Sequence, residues 1–298
     1  MKTIYIINPA AGKGDAVKRI PITDTNENEL VYITKYRGDA EKYIYNCCLD
    51  DPETKFVVYG GDGTINEAVN GIMKSGAGRT ARIAVVPVGS GNDLIRNFSN
   101  EETEKTVDVI KYNDGYSVNI INIGFDCNAV VEMQKFKKIP FISGSFAYIL
   151  GVLKVLMNPI GKHINVNFTD INDNYFSYNG EFLLMVVANG TYYGGGFNAS
   201  PLSSLDDGII DTIIINKISR KKFLSLVGDY KKGLHINHAT NSPANKFKDI
   251  INYYHVKSLE INNPGVICVD GEIINLKEKS LKIEIIKNAI TFTGGKPQ

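Results

Sequence analysis

A surplus of charge is what this 298-residue chain most plainly lacks, since 33 Lys and Arg stand against 32 Asp and Glu for a formal net charge of +1. Nothing global therefore steers it towards nucleic acid, and any basic contact surface must be local. Cysteine is also scarce. Cys47, Cys48, Cys127 and Cys268 form no CxxC pair, which argues against a disulfide framework or a zinc site. Long apolar runs are missing too. Residues 1–9 hold only a short apolar stretch before Asn8-Pro9, too short for a signal-peptide core or a membrane span, so they read as the first strand of a cytoplasmic protein. The most membrane-like stretch, residues 139–157, contains Ser143, Ser145, Lys154 and two glycines and is bounded by Pro140 and Pro159, and it reads as a buried or interfacial helix. What remains is ordinary globular usage, 43% apolar and 22% charged. At roughly 150 residues per domain, the length favours two domains.

The first third alternates short β-rich runs, at residues 4–7, 31–34, 56–59 and 83–88, with helical spacings. Ala40, Tyr43, Ile44, Cys47 and Cys48 recur at i, i+3, i+4, i+7 and i+8, and Ile65, Ala68, Val69, Ile72 and Met73 repeat that pattern. Such alternation predicts a parallel sheet with helices on both faces. From about Tyr116 the β-rich segments lengthen, at 117–125, 163–169, 181–188, 209–215, 256–261 and 281–286. Asn172-Asp173-Asn174, Asn179-Gly180 and Asn262-Asn263-Pro264-Gly265 suit tight connections between them. This half is expected to be an antiparallel β-sandwich, interrupted by helices at 144–157 and 221–232. The expected division is an α/β domain over residues 1–115 and a β-rich domain over 116–287, with residues 288–298 free to return to the first.

The strongest chemical signal is Gly60-Gly61-Asp62-Gly63-Thr64-Ile65-Asn66-Glu67, where a buried-strand pattern runs through three glycines into an amphipathic helix. A helix start leaves backbone N–H groups unpaired at the positive end of the macrodipole, and glycines let the chain approach an anion closely. This is an anion site. Thr64 is placed to cap the helix, with Glu67 completing a capping box. Asp62 would repel a phosphate unless a cation intervenes or the loop's own backbone occupies its oxygens. The segment before it is no Walker loop, because residues 7–14 begin with Ile and end with Gly. Nor is there a dinucleotide fingerprint, which would need Gly or Ala at Asn66 or at Leu94. A second loop, Gly89-Ser90-Gly91-Asn92-Asp93-Leu94, follows the next strand and repeats the architecture. Neighbouring parallel strands end on one edge, so both loops and the Asn8-Pro9 turn are expected to converge on one ligand with several phosphates.

Further along, Val269-Asp270-Gly271-Glu272 puts two carboxylates on one face of extended chain, with Gly271 leaving room for a substrate. One would accept a proton and the other would hold, or be held by, a cation; the bland reading is an acidic turn at a strand end. Asp207-Gly208, taken alone, is an ordinary turn. His235 and His238 share a helical face without a third ligand, which favours surface or packing roles. Lys221, Lys222, Lys231 and Lys232 bracket Phe223, Leu224, Val227 and Tyr230 in a basic amphipathic helix, read first as a solvated face and second as a rest for anionic headgroups. The glycine-rich aromatic run at 189–197 either lines the cleft or simply turns the chain.

Together these motifs resemble the diacylglycerol kinase-like lipid kinases, the soluble bacterial members in particular, over nearly the whole chain. The shared features are the Asn-Pro turn, GGDGTxNE, the GTxND-like loop, the late Asp-Gly segment and the terminal Asp-Gly-Glu. NAD kinases belong to the same wider superfamily, and Asn92-Asp93 favours the lipid branch. Ser90 stands where the family usually has Thr and keeps the hydroxyl. The resemblance implies an N-terminal Rossmann-like parallel α/β domain and a C-terminal antiparallel β-sandwich domain, with ATP in the cleft between them. It implies that Gly60, Gly61, Asp62, Gly63, Thr64, Ile65, Asn66 and Ser90 contact ATP, with Asn8 near the phosphates and Thr34 touching the nucleotide. It further implies that Asp207 holds Mg2+ beside the main-chain carbonyls of Ser204 and Ile209, and that Asp270 and Glu272 are catalytic.

The implied activity is transfer of the γ-phosphate of ATP to a hydroxyl of diacylglycerol or a similar lipid, giving phosphatidic acid or a related phospholipid. An NAD kinase-like enzyme is the alternative that Asn92-Asp93 and the late Asp-Gly-Glu disfavour; a non-catalytic nucleotide or lipid sensor is another. The implied partners are a lipid substrate, a membrane surface contacted peripherally during turnover, and a second copy in a homodimer.

Overall fold

The computed structural model describes residues 1–14, 16, 28–89, 91–99, 103–136, 144–158 and 160–293. The apolar runs of the first third form β1 (Thr3–Ile7), β2 (Glu29–Ile33), β3 (Lys55–Gly60) and β4 (Arg82–Pro87), which run parallel in the order β4-β3-β1-β2. Parallel pairing needs crossovers, and two of these are the amphipathic helices α1 (Asp39–Asp50) and α2 (Asp62–Ser75). Their apolar stripes, Ile44 and Cys48 from α1 and Ile65, Val69 and Ile72 from α2, bury against Ile4, Ile6, Phe56, Val58 and Ile83 of the sheet. The two helices cross at Gly71, where an added Cβ would lie 2.6 Å from the Glu41 carbonyl oxygen. On the opposite sheet face Ile7, Tyr59 and Val88 pack with Ala16.

Ten further strands extend this sheet: β5 (Glu104–Tyr112), β6 (Gly115–Ser117), β7 (Ile120–Gly124), β8 (Lys162–Asp170), β9 (Tyr175–Ala188), β10 (Ile210–Asn216), β11 (Ile251–Asn262), β12 (Val266–Val269), β13 (Glu272–Asn275) and β14 (Ser280–Thr293). Among the described residues the sheet has 14 strands in the order β13-β12-β7-β9-β10-β11-β14-β4-β3-β1-β2, with β5 beside β14, β6 beside β5, and β8 between β9 and β11. All pairings among β5–β13 are antiparallel. Strand β14 joins the two halves: its first part pairs with β11, and Thr291 and Phe292 pair parallel with Arg82 and Ile83 of β4.

Long strands are buried on both faces where they cross the second half. In β9, Met185 and Val187 face a core with Phe168, Ile214 and Leu259, while Leu184, Val186 and Ala188 face helices. Those helices are α3 (Phe125–Phe136), α4 (Gly144–Met157) and α5 (Arg220–Lys231). Two sequence expectations are corrected here. Asn179-Gly180 is not a turn but lies inside β9, paired with Asn165 and Ile164 of β8; the reversal is at residues 170–174, where Asp170 Oδ1 accepts the N–H groups of Asn172 and Asn174. The run expected as a strand over 117–125 stops at Gly124, whose φ of 97° breaks the ladder and turns the chain into α3.

Candidate active site

Both glycine loops lie at the same edge of the parallel sheet, after β3 and β4. They touch through backbone: a Cβ on Gly89 would sit 2.6 Å from Gly61 Cα, so only glycine permits this approach. Asp62 ties the loops together, its Oδ1 accepting the Leu94 N–H at 3.2 Å. Burial first, and the charge of Asp93 second, push the Asp62 carboxyl up to about 6. Asp93 in turn accepts the Gly195 N–H at 2.8 Å, which brings the glycine-rich run of the second half onto the edge of the site.

Gly61 is the N-cap of α2, in extended conformation, and Thr64 is already inside the helix. The expected capping box is therefore absent. The Thr64 hydroxyl instead accepts from Asn8 Nδ2 at 2.9 Å, and the Glu67 carboxylate accepts the Gly38 N–H at 2.8 Å. The first contact fixes the Asn-Pro turn beside α2. The second holds the start of α1, and with it the adjacent Arg37. Thr34, buried at the end of β2, donates through its N–H and its hydroxyl to the Ile7 carbonyl at 2.9 and 3.3 Å, next to Asn8. The Ile65 side chain is in the core, so it reaches a ligand only through backbone. Ser90 lies outside the described residues.

The late acidic pair comes to this place from the other half. Asp270, with φ 47° between β12 and β13, is almost fully enclosed. Its Oδ1 accepts from Ser117 Oγ, Asn119 N and Ile120 N at 2.7, 3.1 and 3.0 Å; its Oδ2 accepts from Asn66 Nδ2 and Val118 N at 2.8 and 3.0 Å. Burial pushes this carboxyl up while the hydrogen bonds from Ser117, Asn66, Val118 and Ile120 oppose it. Asn66 thus spends its amide on Asp270 and on the Tyr116 carbonyl, joining α2 to the second half. Glu272 stands differently. Its Oε1 lies 2.7 Å from where a Cβ on Gly63 would be, over the first turn of α2, and its Oε2 pairs with Arg37 Nη2 at 2.5 Å.

Ser204, Asp207 and Ile209 occupy a separate loop. Ser204 Oγ donates to Asp206 Oδ1, and the Ile209 N–H donates to Asp207 Oδ1 at 2.9 Å. Asp108 braces the loop by accepting the Gly208 N–H at 2.6 Å and the Asn288 N–H at 2.7 Å. Partial burial, then the charges of Asp211, Asp108 and Asp206, push the Asp207 carboxyl up. Among the described residues no three His, Cys, Asp or Glu side chains form a metal-holding group.

Sequence reasoning missed Arg37 and the buried pair in which Tyr193 Oη donates to Asp126. Neither carries a local signal, because each partner is distant in sequence. His235 is fully buried and its Nε2 lies 3.0 Å from the Ala199 carbonyl oxygen, a packing role.

The arrangement brings a glycine-lined helix start, a carboxylate from the second half and a paired arginine together. Comparison with known proteins is consistent with that chemistry. Residues 2–123 match the diacylglycerol kinase catalytic domain, and residues 119–285 match the YegS C-terminal NAD kinase beta sandwich-like domain. The chain is 28% identical over 281 residues to a "Putative lipid kinase" of Staphylococcus aureus (strain JH9), covering 87% of this chain and 84% of that protein. It is 27% identical over 312 residues to another of the same name from Staphylococcus carnosus (strain TM300), covering 96% and 94%. Two crystal structures from Bacillus anthracis strain Sterne share the fold: a "putative diacylglycerol kinase", with TM-score 0.71 at 23% identity, and a diacylglycerol kinase, with TM-score 0.67 at 21% identity. Each alignment covers 98% of this chain and 96% of the other. The chain belongs to the diacylglycerol kinase-like lipid kinases, a diacylglycerol kinase catalytic domain joined to a YegS-type beta sandwich-like domain.

Proposed function

We propose that the chain transfers the γ-phosphate of ATP to the hydroxyl of a diacylglycerol-like lipid. The observation that supports this reading is Glu272 Oε1 over Gly63, a carboxylate of the second half against the glycine-lined helix start of the first. In this reading the Gly60–Gly63 and Gly89–Gly91 backbones cradle the phosphates, with Asn8 and Thr64 fixing the wall beside them. Glu272 accepts the proton of the attacking hydroxyl, held in place through Oε2 by Arg37. Asp270, with all its lone-pair sites occupied by five donors, positions Glu272 and the lobes rather than taking the proton. Asp207, with the carbonyls of Ser204 and Ile209, would hold magnesium; the ion supplies positive charge that stabilises a phosphate-binding fold.

The test is incubation with ATP labelled at the γ-phosphate, together with extracted membrane lipids or with NAD. Label in a lipid product is expected. Label in NADP alone refutes the proposal, and ATP binding without label in either product identifies a sensor.

A further inference from the structure

The turn between β2 and α1, residues 34–39, is pinned along its length. Strand β2 runs parallel to β1, so this turn opens at the same sheet edge as the two glycine loops. Thr34 bonds to the Ile7 carbonyl, the Lys35 N–H donates to Asp39 Oδ2 at 2.7 Å, and the Gly38 N–H donates to Glu67 of α2 at 2.8 Å. Gly38, with φ 86°, then leads the chain into α1. This fixed backbone carries Arg37, whose side chain is 69% exposed. The guanidinium pairs with Glu272 Oε2 through Nη2, and among the described residues it makes no second ion pair. A guanidinium donates from every nitrogen of a planar fork, so Nε and Nη1 are left to face a ligand.

Stability does not account for such a pair, because an ion pair this exposed contributes little. Its surroundings account for more. Asp62 and Glu67 stand on α2; the charges of Asp93 and Asp270 act on Asp62, and that of Glu272 acts on Glu67. A triphosphate brought to this helix start therefore meets several carboxylates, which repel it unless a cation is supplied. Arg96, beside the second glycine loop, is engaged already, with Nε 3.6 Å from Asp93 Oδ1 and the guanidinium 6.0 Å over the Tyr192 ring. Arg37 is fixed at its base and open at its tip. It stands one carboxylate away from Gly63, since the Glu272 group that it holds by Oε2 lies over Gly63 by Oε1.

We propose that Arg37 is a catalytic residue whose guanidinium holds Glu272 through Nη2 and donates through Nε and Nη1 to the γ-phosphate of ATP. The inference rests on the lipid-kinase reading above and adds to the phosphate site a residue which that reading leaves outside it. In the transfer, the lipid oxygen forms its bond to the γ-phosphorus as the bond from that phosphorus to the bridging oxygen breaks. The hydroxyl proton goes to Glu272, and the electron pair of the broken bond stays on the oxygen of ADP. Arg37 gives up no proton; it neutralises charge on the equatorial oxygens of the moving group. Because Nη2 stays on Glu272, one side chain sets the proton acceptor beside the phosphoryl group that it serves.

The experiment is titration calorimetry of the full chain with ADP and with the β,γ-imido analogue of ATP, each with magnesium, beside turnover of ATP with a short-chain diacylglycerol. In Arg37→Ala the Kd for the analogue should rise by about tenfold or more, while the Kd for ADP stays within about twofold. Arg37→Lys should recover part of the analogue affinity, as one ammonium replaces the fork. Lys55→Gln, at the opposite end of β3, removes the same charge and should bind both nucleotides as the wild type does. A residue that acted only through Glu272 would add nothing once that carboxylate is gone. Arg37→Ala combined with Glu272→Gln should instead lower kcat by about tenfold or more below Glu272→Gln alone and keep the selective loss of analogue affinity. Equal loss of both nucleotides, no loss of either, or a double variant no slower than Glu272→Gln overturns the inference, and labelled lipid from the wild type then shows that the kinase reading survives. An Arg37-dependent preference for the analogue in a wild type that labels no lipid would keep the phosphate contact and remove the kinase reading. A wild-type chain that binds neither nucleotide overturns both.

Discussion

Replacing Asp270 by Asn swaps one carboxylate oxygen for an NH2 group and is nearly neutral in shape. In chemistry it is not. If the amide nitrogen takes the Oδ2 position it faces the donors Asn66 Nδ2 and Val118 N; if it takes Oδ1 it faces Ser117 Oγ, Asn119 N and Ile120 N. Either way at least two buried donors lose their acceptor, at about 1–3 kcal/mol each. The expected loss is about 2–6 kcal/mol, and at about 2–4 °C per kcal/mol for a chain of this size it lowers Tm by roughly 5–20 °C. Glu272→Gln is the control. It removes a half-exposed ion pair with Arg37, which contributes about 1 kcal/mol at most, so Tm should stay within about 3 °C. Differential scanning fluorimetry of both variants beside the wild type reads the difference. An Asp270→Asn protein that melts with the wild type would refute the reasoning that Asp270 is the saturated joint between the halves.

Asp62 gives a pH signature. Its native value of about 6 lies above the ordinary 3.8, so the folded state holds the proton more tightly; this contribution is full below pH 4 and is lost as pH rises through 6. Asp62→Asn should therefore melt higher than wild type at pH 7–8, by an increment of roughly 3 kcal/mol, and the advantage should vanish near pH 4; a pH-independent difference would contradict the assignment. Gly89→Ala drives a Cβ to 2.6 Å from Gly61 Cα and should cost about 1–3 kcal/mol and about tenfold in ATP affinity, measured by calorimetry. Arg37→Ala should leave Tm within about 3 °C yet lower kcat more than it raises the KM for ATP, with Arg37→Lys recovering part of the loss.

The parallel half was legible because its local signals agree: β-branched runs, glycine turns and helical spacing each point to the same elements. Legibility failed where a distant partner decided the outcome. Thr64 has the propensity of a cap, but Asn8 takes its hydroxyl; Asn179-Gly180 has the composition of a turn, but pairing with β8 keeps it extended. The helix α3 was hidden because apolar residues continue from β7 through Phe125 and Cys127 into Ala129, Val130 and Val131, and the switch rests on the backbone of Gly124. At the site, the glycine loops and both late carboxylates were visible as residues. Their division of labour was not, since it depends on five donors reaching Asp270 and on Arg37 reaching Glu272 from another part of the chain.

The most direct test of the proposed site compares turnover and ATP binding in Glu272→Gln. A proton acceptor is typically worth about 10²–10⁴ in rate, so kcat for lipid phosphorylation should fall by that factor while the ATP Kd stays within about twofold. Undiminished turnover, or a loss of ATP affinity as large as the loss of rate, would contradict the account.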